Sequence, residues 1–480
     1  MDVTSPARTD DLAHHREGTA SGDGPRWTLV VAGATVLAAA LVAFRLGRHG
    51  LWYDEGHTIG TIDRPLGDAL WRIAHWELNQ SPYHLLILGW HRLVEGEGAL
   101  RTASGFFAVA SVPLTYALGR RLLGARVGAI AAVLLAVHPF VIEWGQQLRA
   151  YSMVLFLTLA ATLLLARAVE QPTRVRIVAY AVVAALAVYT HFFAALVLGA
   201  HALSLLLLRP VPRRLIIGAG AVGGALVLPA LEFFLNRDGD PLDWVEETSQ
   251  TQLNATAGEL AGGNRLQLVV YGIAALAGLY VLGRRMLDRR DPDAAWRASL
   301  PVVVLVVPPA VTLLLSVTAK PLLEARFLIV AVPGLVLVVA AAIDRLARPW
   351  AGVALAALVA ASAAGLWDWY ERPPFDQWRE AVTAVGDTVV PGDVVLTDPS
   401  RATHVVRYYA ERDDLPVFVG YPEDMAAADP EQVHVLVRFE DDVPEDFSVR
   451  PGMDVWLRER YALEDEQVFA GVVVRRYDRR

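Results

Sequence analysis

The chain has 480 residues, of which 54% are hydrophobic and 20% charged, with a net charge of −8 and no cysteine. Soluble domains are about 45–50% apolar with the apolar residues interspersed, whereas here they run together from Trp27 to Leu46, Leu215 to Leu235 and Ala298 to Ala319. That excludes an ordinary soluble fold; the missing cysteines exclude disulfides and thiolate metal sites. No basic face interleaved with aromatics is present, so nucleic acid is not an expected partner.

In chain order, residues 1–26 are polar, mixed in charge and rich in Gly, Ser and Thr, and read as a disordered cytoplasmic tail. The first apolar run is long enough to span about 30 Å of hydrocarbon and lacks the small-residue cleavage site of a signal peptide. Only helices and closed barrels satisfy their backbones in lipid, and Leu/Ala/Val runs without alternation exclude a barrel. The expected fold class is therefore an α-helical polytopic membrane protein. Arginine clusters mark the cytoplasmic loops: Arg120/Arg121/Arg126, Arg167/Arg174/Arg176, Arg209/Arg213/Arg214, Arg284/Arg285/Arg289/Arg290/Arg297 and Arg345/Arg348. Two spans between each neighbouring pair fit 127–144 with 150–166, 215–235 with 266–283, and 298–319 with 327–343. The 32 residues from Ile177 to Leu208 are read as two spans turning near Tyr189-Thr190-His191.

A first outer loop, 47–101, holds two interfacial helices, one around Leu66, Leu70 and Ile73 and one from Tyr83 to Val94, before a span at 102–118. The sum is about 11 spans over a transmembrane domain 27–366, with the amino terminus inside. From Trp367 to Arg480 there are 25 Asp and Glu against 13 Arg, so an acidic outer domain, 367–480, follows a mildly basic membrane part. In that domain Phe375–Val389 and Ala402–Arg412 read as helices, and Asp393–Thr397, Pro416–Gly420, Val433–Arg438 and Val468–Arg475 as strands. They make a small α/β domain.

Three groups of residues could carry chemistry. Trp52-Tyr53-Asp54-Glu55 sets two carboxylates in the outer loop after the first span. A positioned carboxylate can take the proton of an acceptor hydroxyl; the plainer reading is a solvated acidic pair. Lys320 is the single lysine among 43 basic residues and stands six residues before Arg326 in a short outer loop. A compact ammonium beside a guanidinium could hold a phosphate at the interface, against ordinary snorkelling. Glu143-Trp144-Gly145-Gln146-Gln147-Leu148-Arg149-Ala150-Tyr151 joins two spans on the outer side, where polar groups are costly and often functional. His191, in another outer turn, reads as structural, and the remaining histidines lack the tight spacing of a zinc site.

Read together, these pieces resemble the bacterial family 39-like glycosyltransferases of the GT-C superfamily, whose relatives include protein O-mannosyltransferases and lipid A aminoarabinose transferases. The matching pieces, in the family's order, begin with Trp52-Tyr53-Asp54-Glu55, Asn79-Gln80-Ser81-Pro82-Tyr83-His84 and Leu100-Arg101-Thr102-Ala103-Ser104. Gly119-Arg120-Arg121, His138-Pro139-Phe140, Gln146-Gln147-Leu148-Arg149-Ala150-Tyr151 and Tyr189-Thr190-His191 follow. Asp243-Trp244, Lys320-Pro321, Arg326-Phe327-Leu328 and Asp376-Gln377-Trp378-Arg379 with Pro391-Gly392-Asp393 complete the set, which spans roughly 50 to 410.

The resemblance implies a polyprenyl-phosphate sugar donor, a hexose or pentose transferred with inversion, and an extracytoplasmic lipid, glycan or protein acceptor. It implies location in the cytoplasmic membrane with the active site outside. It also implies that Asp54 is the base with Glu55 in support, and that Lys320, Arg326, Arg149 and Arg101 bind the donor phosphate. Asn79, Tyr83, Gln147, Tyr151 and His191 are the candidate substrate contacts. No tightly bound cofactor or metal ligand set is expected, and a need for divalent metal stays open. Where many relatives read Gln-Glu-Ala-Arg, this chain has Gln146-Gln147-Leu148-Arg149, so one carboxylate is missing, with Glu143 a helical turn earlier. A transporter or flippase of lipid-linked sugars is the alternative, disfavoured because no internal repeat is visible.

Overall fold

The computed structural model describes residues 24–208, 213–236, 242, 244–288, 290–398, 402–413, 415, 418–419, 430–439 and 453–480. Residues 1–23 of the expected tail, Arg209, Asp243, Arg289 and most of the strand expected at Pro416–Gly420 lie outside these residues, whereas Gly24, Pro25 and Arg26 already belong to the first helix.

Among the described residues the membrane part is a bundle of helices, with α1 at Gly24–Ala43, α5 at Glu97–Leu122 and α8 at Tyr151–Glu170. It continues with α9 at Arg174–Thr190, α10 at Ala194–Leu205, α11 at Arg213–Asn236, α13 at Arg265–Met286 and α14 at Pro292–Thr318. A 3₁₀ turn at Ala325–Ala331 runs into α15 at Val332–Asp344, and α16 follows at Arg348–Glu371. Among the described residues eight helices are long and apolar enough to cross a membrane, or nine with the pair α6 (Ala125–Ala136) and α7 (Pro139–Gly145), bent by 58°. The kink has a local cause: Pro139 opens α7 and lacks the N–H that would continue α6. The two remaining expected spans are α9 and α10, 17 and 12 residues long, which part at His191 where the sequence placed a turn.

The ends of the helices sort onto two sides. Arg121 pairs with Glu170, and Arg126 Nη1 lies 3.4 Å from Asp344, so the arginine-rich ends share one side. The opposite side carries α2 (Tyr53–Ile62), α3 (Leu66–His75), α4 (Ser81–Trp90), α12 (Gln250–Ala261) and the C-terminal domain. The segment read as a loop at 51–57 is therefore the start of a helix. Asp54 and Glu55 stand in its first turn, where carboxylates are favoured by the unpaired N–H groups and the helix dipole.

The C-terminal domain holds a five-stranded sheet in the order β2-β1-β3-β5-β4. Its strands are β1 Val394–Asp398, β2 Phe418–Val419, β3 Gln432–Arg438, β4 Tyr461–Phe469 and β5 Val472–Arg479. β1 runs parallel to β2 and β3, while β5 is antiparallel to β3 and β4. Helices α17 (Trp378–Gly386) and α18 (Thr403–Arg412) link the sheet to the bundle side, and α19 (Met453–Arg460) precedes β4. The strand expected at Val468–Arg475 is a hairpin instead, turning at Gly471 with φ +67°. β4 escaped notice because Glu464, Asp465 and Glu466 break the apolar alternation of a strand that pairs on only one side.

The domain is clamped to α2. A Cβ on Gly56 would stand 2.8 Å from Val405 Cβ, and one on Gly60 2.3 Å from the His404 ring, so α18 packs directly on the α2 backbone. Tyr409 Oη receives the Leu51 N–H at 2.6 Å and donates to Glu97 at 2.7 Å. Asp376 Oδ2 accepts the Tyr53 N–H at 2.8 Å, and Arg438 bonds the other oxygen while lying 4.9 Å from the Tyr53 ring centroid. Burial lifts Asp376 above the usual carboxylate range against the pull of Arg438 and its hydrogen bonds.

Candidate active site

Glu55 is the buried anchor of the site. Its carboxylate accepts from Arg101 Nε at 2.8 Å and Nη2 at 2.5 Å, from the Leu148 N–H at 2.6 Å and from the Trp52 N–H at 3.3 Å. Arg101 spends its remaining donors on the carbonyls of Leu46, His49 and Gly50. A guanidinium has five N–H groups, and these contacts engage all three of its nitrogens in a residue 3% exposed. Arg101, expected on the donor phosphate, here braces the loop before α2 through Glu55 and three backbone carbonyls.

Because Glu55 also holds Leu148, the 146–149 turn is drawn onto α2 and delivers Arg149. Its Nη1 donates to the Asp54 carbonyl at 3.0 Å, and the guanidinium lies 6.0 Å from the Tyr151 ring centroid. Burial opposes the Arg149 charge, but Asp54 and Tyr151 outweigh it and hold its pKa above the ordinary arginine value. The Asp54 side chain is 24% exposed, and its Oδ2 accepts from Arg326 Nη1 at 3.1 Å. Arg326 lies 4.7 Å from the Trp244 ring centroid and has Glu324 at 3.6 Å. Three distant segments, around 54, 149 and 326, thus meet at one residue, Arg149 on the Asp54 carbonyl and Arg326 on its carboxylate.

His191 is buried in an aromatic wall, 5.5 Å from Tyr151 and 5.1 Å from Phe327 between ring centroids. Tyr83 Oη pairs with Ser104 Oγ at 2.7 Å, and Ser104 donates to the Arg149 carbonyl at 3.2 Å. Asn79 Oδ1 accepts the Phe192 N–H at 3.1 Å. Tyr83 is fully buried, and it and Asn79, expected to touch substrate, have scaffold partners that set Arg149 and the α9–α10 turn. Gln147 is buried with Oε1 unbonded. Gln146 fastens α1 to α16, donating to Val42 and Phe44 carbonyls at 2.8 and 2.7 Å and accepting from Trp369 at 2.7 Å. Glu143 is engaged by Arg372 at 3.3 Å. Lys320 sits half-buried in the turn after α14, its own N–H bonded to the Leu315 carbonyl at 3.1 Å.

Sequence reasoning missed a second polar group on α2. His57 Nε2 lies 2.9 Å from Glu77 Oε1, which Arg72 also reaches at 3.3 Å. Burial would raise the Glu77 pKa, but the hydrogen bond from His57 and the charges of His57, His84 and Arg72 hold it at about 2. The signal was present in the three-residue step from Asp54 to His57, which puts both on one face once 53–62 is known to be helical. Among the described residues, no group of three or more His, Asp or Glu side chains is arranged to hold a metal ion.

The bundle with an interfacial helix at its first outer segment and an α/β cap is the GT-C fold. ArnT from Cupriavidus metallidurans, solved bound to undecaprenyl phosphate, superposes with a TM-score of 0.61 at 12% identity, covering 95% of this chain and 98% of that one. The oligosaccharyltransferase AglB from Archaeoglobus fulgidus, solved with an inhibitory peptide and a dolichol-phosphate, gives 0.55 at 11% identity over 86% of this chain and 70% of its own. The arabinofuranosyltransferase AftD from Mycobacteria gives 0.52 at 16% identity over 96% of this chain and 42% of its own. Residues 83–233 match the family described as dolichyl-phosphate-mannose-protein mannosyltransferase. A search of curated protein sequences gave no match. The chain thus shares the fold of these membrane proteins, and its residues 83–233 resemble the mannosyltransferase family whose model they match.

Proposed function

We propose that the chain moves a hexose or pentose from a polyprenyl-phosphate donor to an extracytoplasmic acceptor, with inversion at the anomeric carbon. The observation that carries this reading is the Asp54 carboxylate held by Arg326 above Arg149, at the side of the bundle that bears the capping domain. The acceptor oxygen bonds to the anomeric carbon as its proton passes to Asp54 Oδ1. The bond from that carbon to the phosphate oxygen breaks, and the polyprenyl phosphate leaves against Arg326, Arg149 and Lys320. Fixed positive charge there is worth most as the leaving group gains charge. The undecaprenyl phosphate bound by ArnT and the dolichol-phosphate bound by AglB support a lipid-phosphate donor.

In this reading the arginine-rich side faces the cytoplasm. A reporter active only outside the cytoplasm is expected to work when fused after Arg480 and to fail when fused after Arg214; the reverse at either site overturns the orientation. The function itself is tested in a strain lacking the gene. A polyprenyl-phosphate sugar is expected to accumulate as one glycosyl residue disappears from the envelope, whereas a transporter would leave that lipid on the cytoplasmic leaflet. Lys320→Ala is expected to depress turnover more than donor binding, and Lys320→Arg to impair it as well, because a planar fork displaces the phosphate from the place of a compact ammonium. Full activity of Lys320→Arg in a purified assay would leave only a requirement for charge.

A further inference from the structure

On the side of the bundle opposite Asp54, the ends of three spans enclose a cleft of about 810 Å³ that opens to solvent. Arg121 reaches it from the last turn of α5, Arg285 from the last turn of α13 and Arg297 from the second turn of α14. Leu122 and Leu123 give it an apolar wall, and Leu123 packs with Met286 against Leu282 and Ala298. The cleft therefore rests on a packed base and joins three helices that are distant in sequence.

Its acidic residues do not balance these cations. Asp288 Oδ1 accepts the Arg290 N–H at 3.0 Å, and Asp291 Oδ1 accepts the Ala294 N–H at 2.9 Å as the cap of α14. Among the described residues, neither carboxylate forms an ion pair with Arg285 or Arg297, and neither guanidinium makes a hydrogen bond. Arg121 gives Nη2 to Glu170, while its Nε is buried without a hydrogen bond. Asp344 attracts Arg285 but also lies 3.4 Å from Arg126, and Arg345 beside it repels Arg285.

Marking the orientation of the chain does not require this arrangement, since Arg284, Arg290 and Arg345 at the same end are exposed. Arg285 and Arg297 are instead half-buried in one cleft, which costs hydration that no carboxylate there restores. The dipole of α14 gives Arg297 no help, because the N-terminal end of a helix favours negative charge. An anion with several oxygens answers all of these demands, and the planar fork of arginine fits phosphate with two parallel hydrogen bonds. Position selects its source. The cleft lies where apolar spans end, and basic pockets between helices at that depth receive anionic headgroups. A headgroup is held there by its acyl chains, whereas free phosphate stays in water.

We propose that Arg121, Arg285 and Arg297 bind the phosphodiester of an anionic glycerophospholipid, and that the bound lipid ties the ends of α5, α13 and α14 together. This lipid site is separate from the transfer site and independent of the role given to Asp54. The test uses the purified full chain in detergent, delipidated and then given dioleoylphosphatidylglycerol or dioleoylphosphatidylcholine. Native mass spectrometry is expected to find the anionic lipid retained at least about tenfold over the zwitterionic one, the size of one charge-assisted hydrogen bond. Arg285→Gln/Arg297→Gln is expected to lose that preference, and Arg284→Gln/Arg290→Gln to keep it. If the first double variant does not fold, Arg297→Gln alone is expected to reduce the preference severalfold. Millimolar inorganic phosphate is expected to leave the lipid in place; displacement by it makes this a site for free anions and overturns the lipid assignment. Equal retention of the two lipids by the unsubstituted chain, or an undiminished preference in the Arg285 and Arg297 variants, overturns the site.

Discussion

Asp54→Asn is expected to lower sugar transfer by at least about 10²-fold, while membrane insertion and binding of the donor lipid stay near normal. The amide has the shape of the carboxylate and can keep a hydrogen bond from Arg326, which now reaches Oδ2 at 3.1 Å. It cannot take up a proton at neutral pH, so the acceptor hydroxyl stays a weak nucleophile. The loss therefore falls on turnover and not on assembly. Glu55 has a separate role, because it is fully buried and engaged by Arg101, Leu148 and Trp52. Turnover of Asp54→Asn within a few-fold of the unsubstituted chain, measured on the purified protein, would remove Asp54 from the chemistry.

Arg101→Ala is expected to cost about 3–5 kcal/mol of stability, because it strands a buried carboxylate. That is a large share of the roughly 5–15 kcal/mol that holds a typical domain folded. The truncation also frees the carbonyls of Leu46, His49 and Gly50, which Arg101 now satisfies. The expected readout is a strongly lowered midpoint of thermal unfolding in detergent and a poor yield of folded protein. Glu55→Gln is expected to cost less, since a neutral amide tolerates burial and still meets the Leu148 N–H. An Arg101→Ala protein that melts with the unsubstituted chain would show that Arg101 is no brace, and would reopen a ligand role for it.

The capping domain belongs to the same mechanical unit. Its Tyr409, Asp376 and Arg438 hold the residues just before and at the start of α2, and Val405 and His404 lie against Gly56 and Gly60. Asp54 thus sits on a helix gripped on one face by the bundle and on another by the cap. The base proposed at Asp54 would need placing to within a fraction of an ångström, and this grip on both faces holds α2 in place.

The membrane class, the positions of the long apolar helices and the turn at His191 were legible in the sequence. Each rests on local quantities: the length of an apolar run and the polar residues that interrupt it. Asp54, Arg149 and Arg326 could be singled out as residue types and by family resemblance, and the structure brings them together. What each charged group faces was not legible, because that depends on segments far apart in the chain. Arg101 and Arg326 look alike in sequence, two arginines near the ends of apolar runs. Folding encloses one among carbonyls and Glu55 and leaves the other facing Asp54 and Trp244. The helix at 53–62 was hidden for a related reason: Gly56 and Gly60 are poor helix formers in isolation, and only the close approach of α18 gives their missing side chains a purpose.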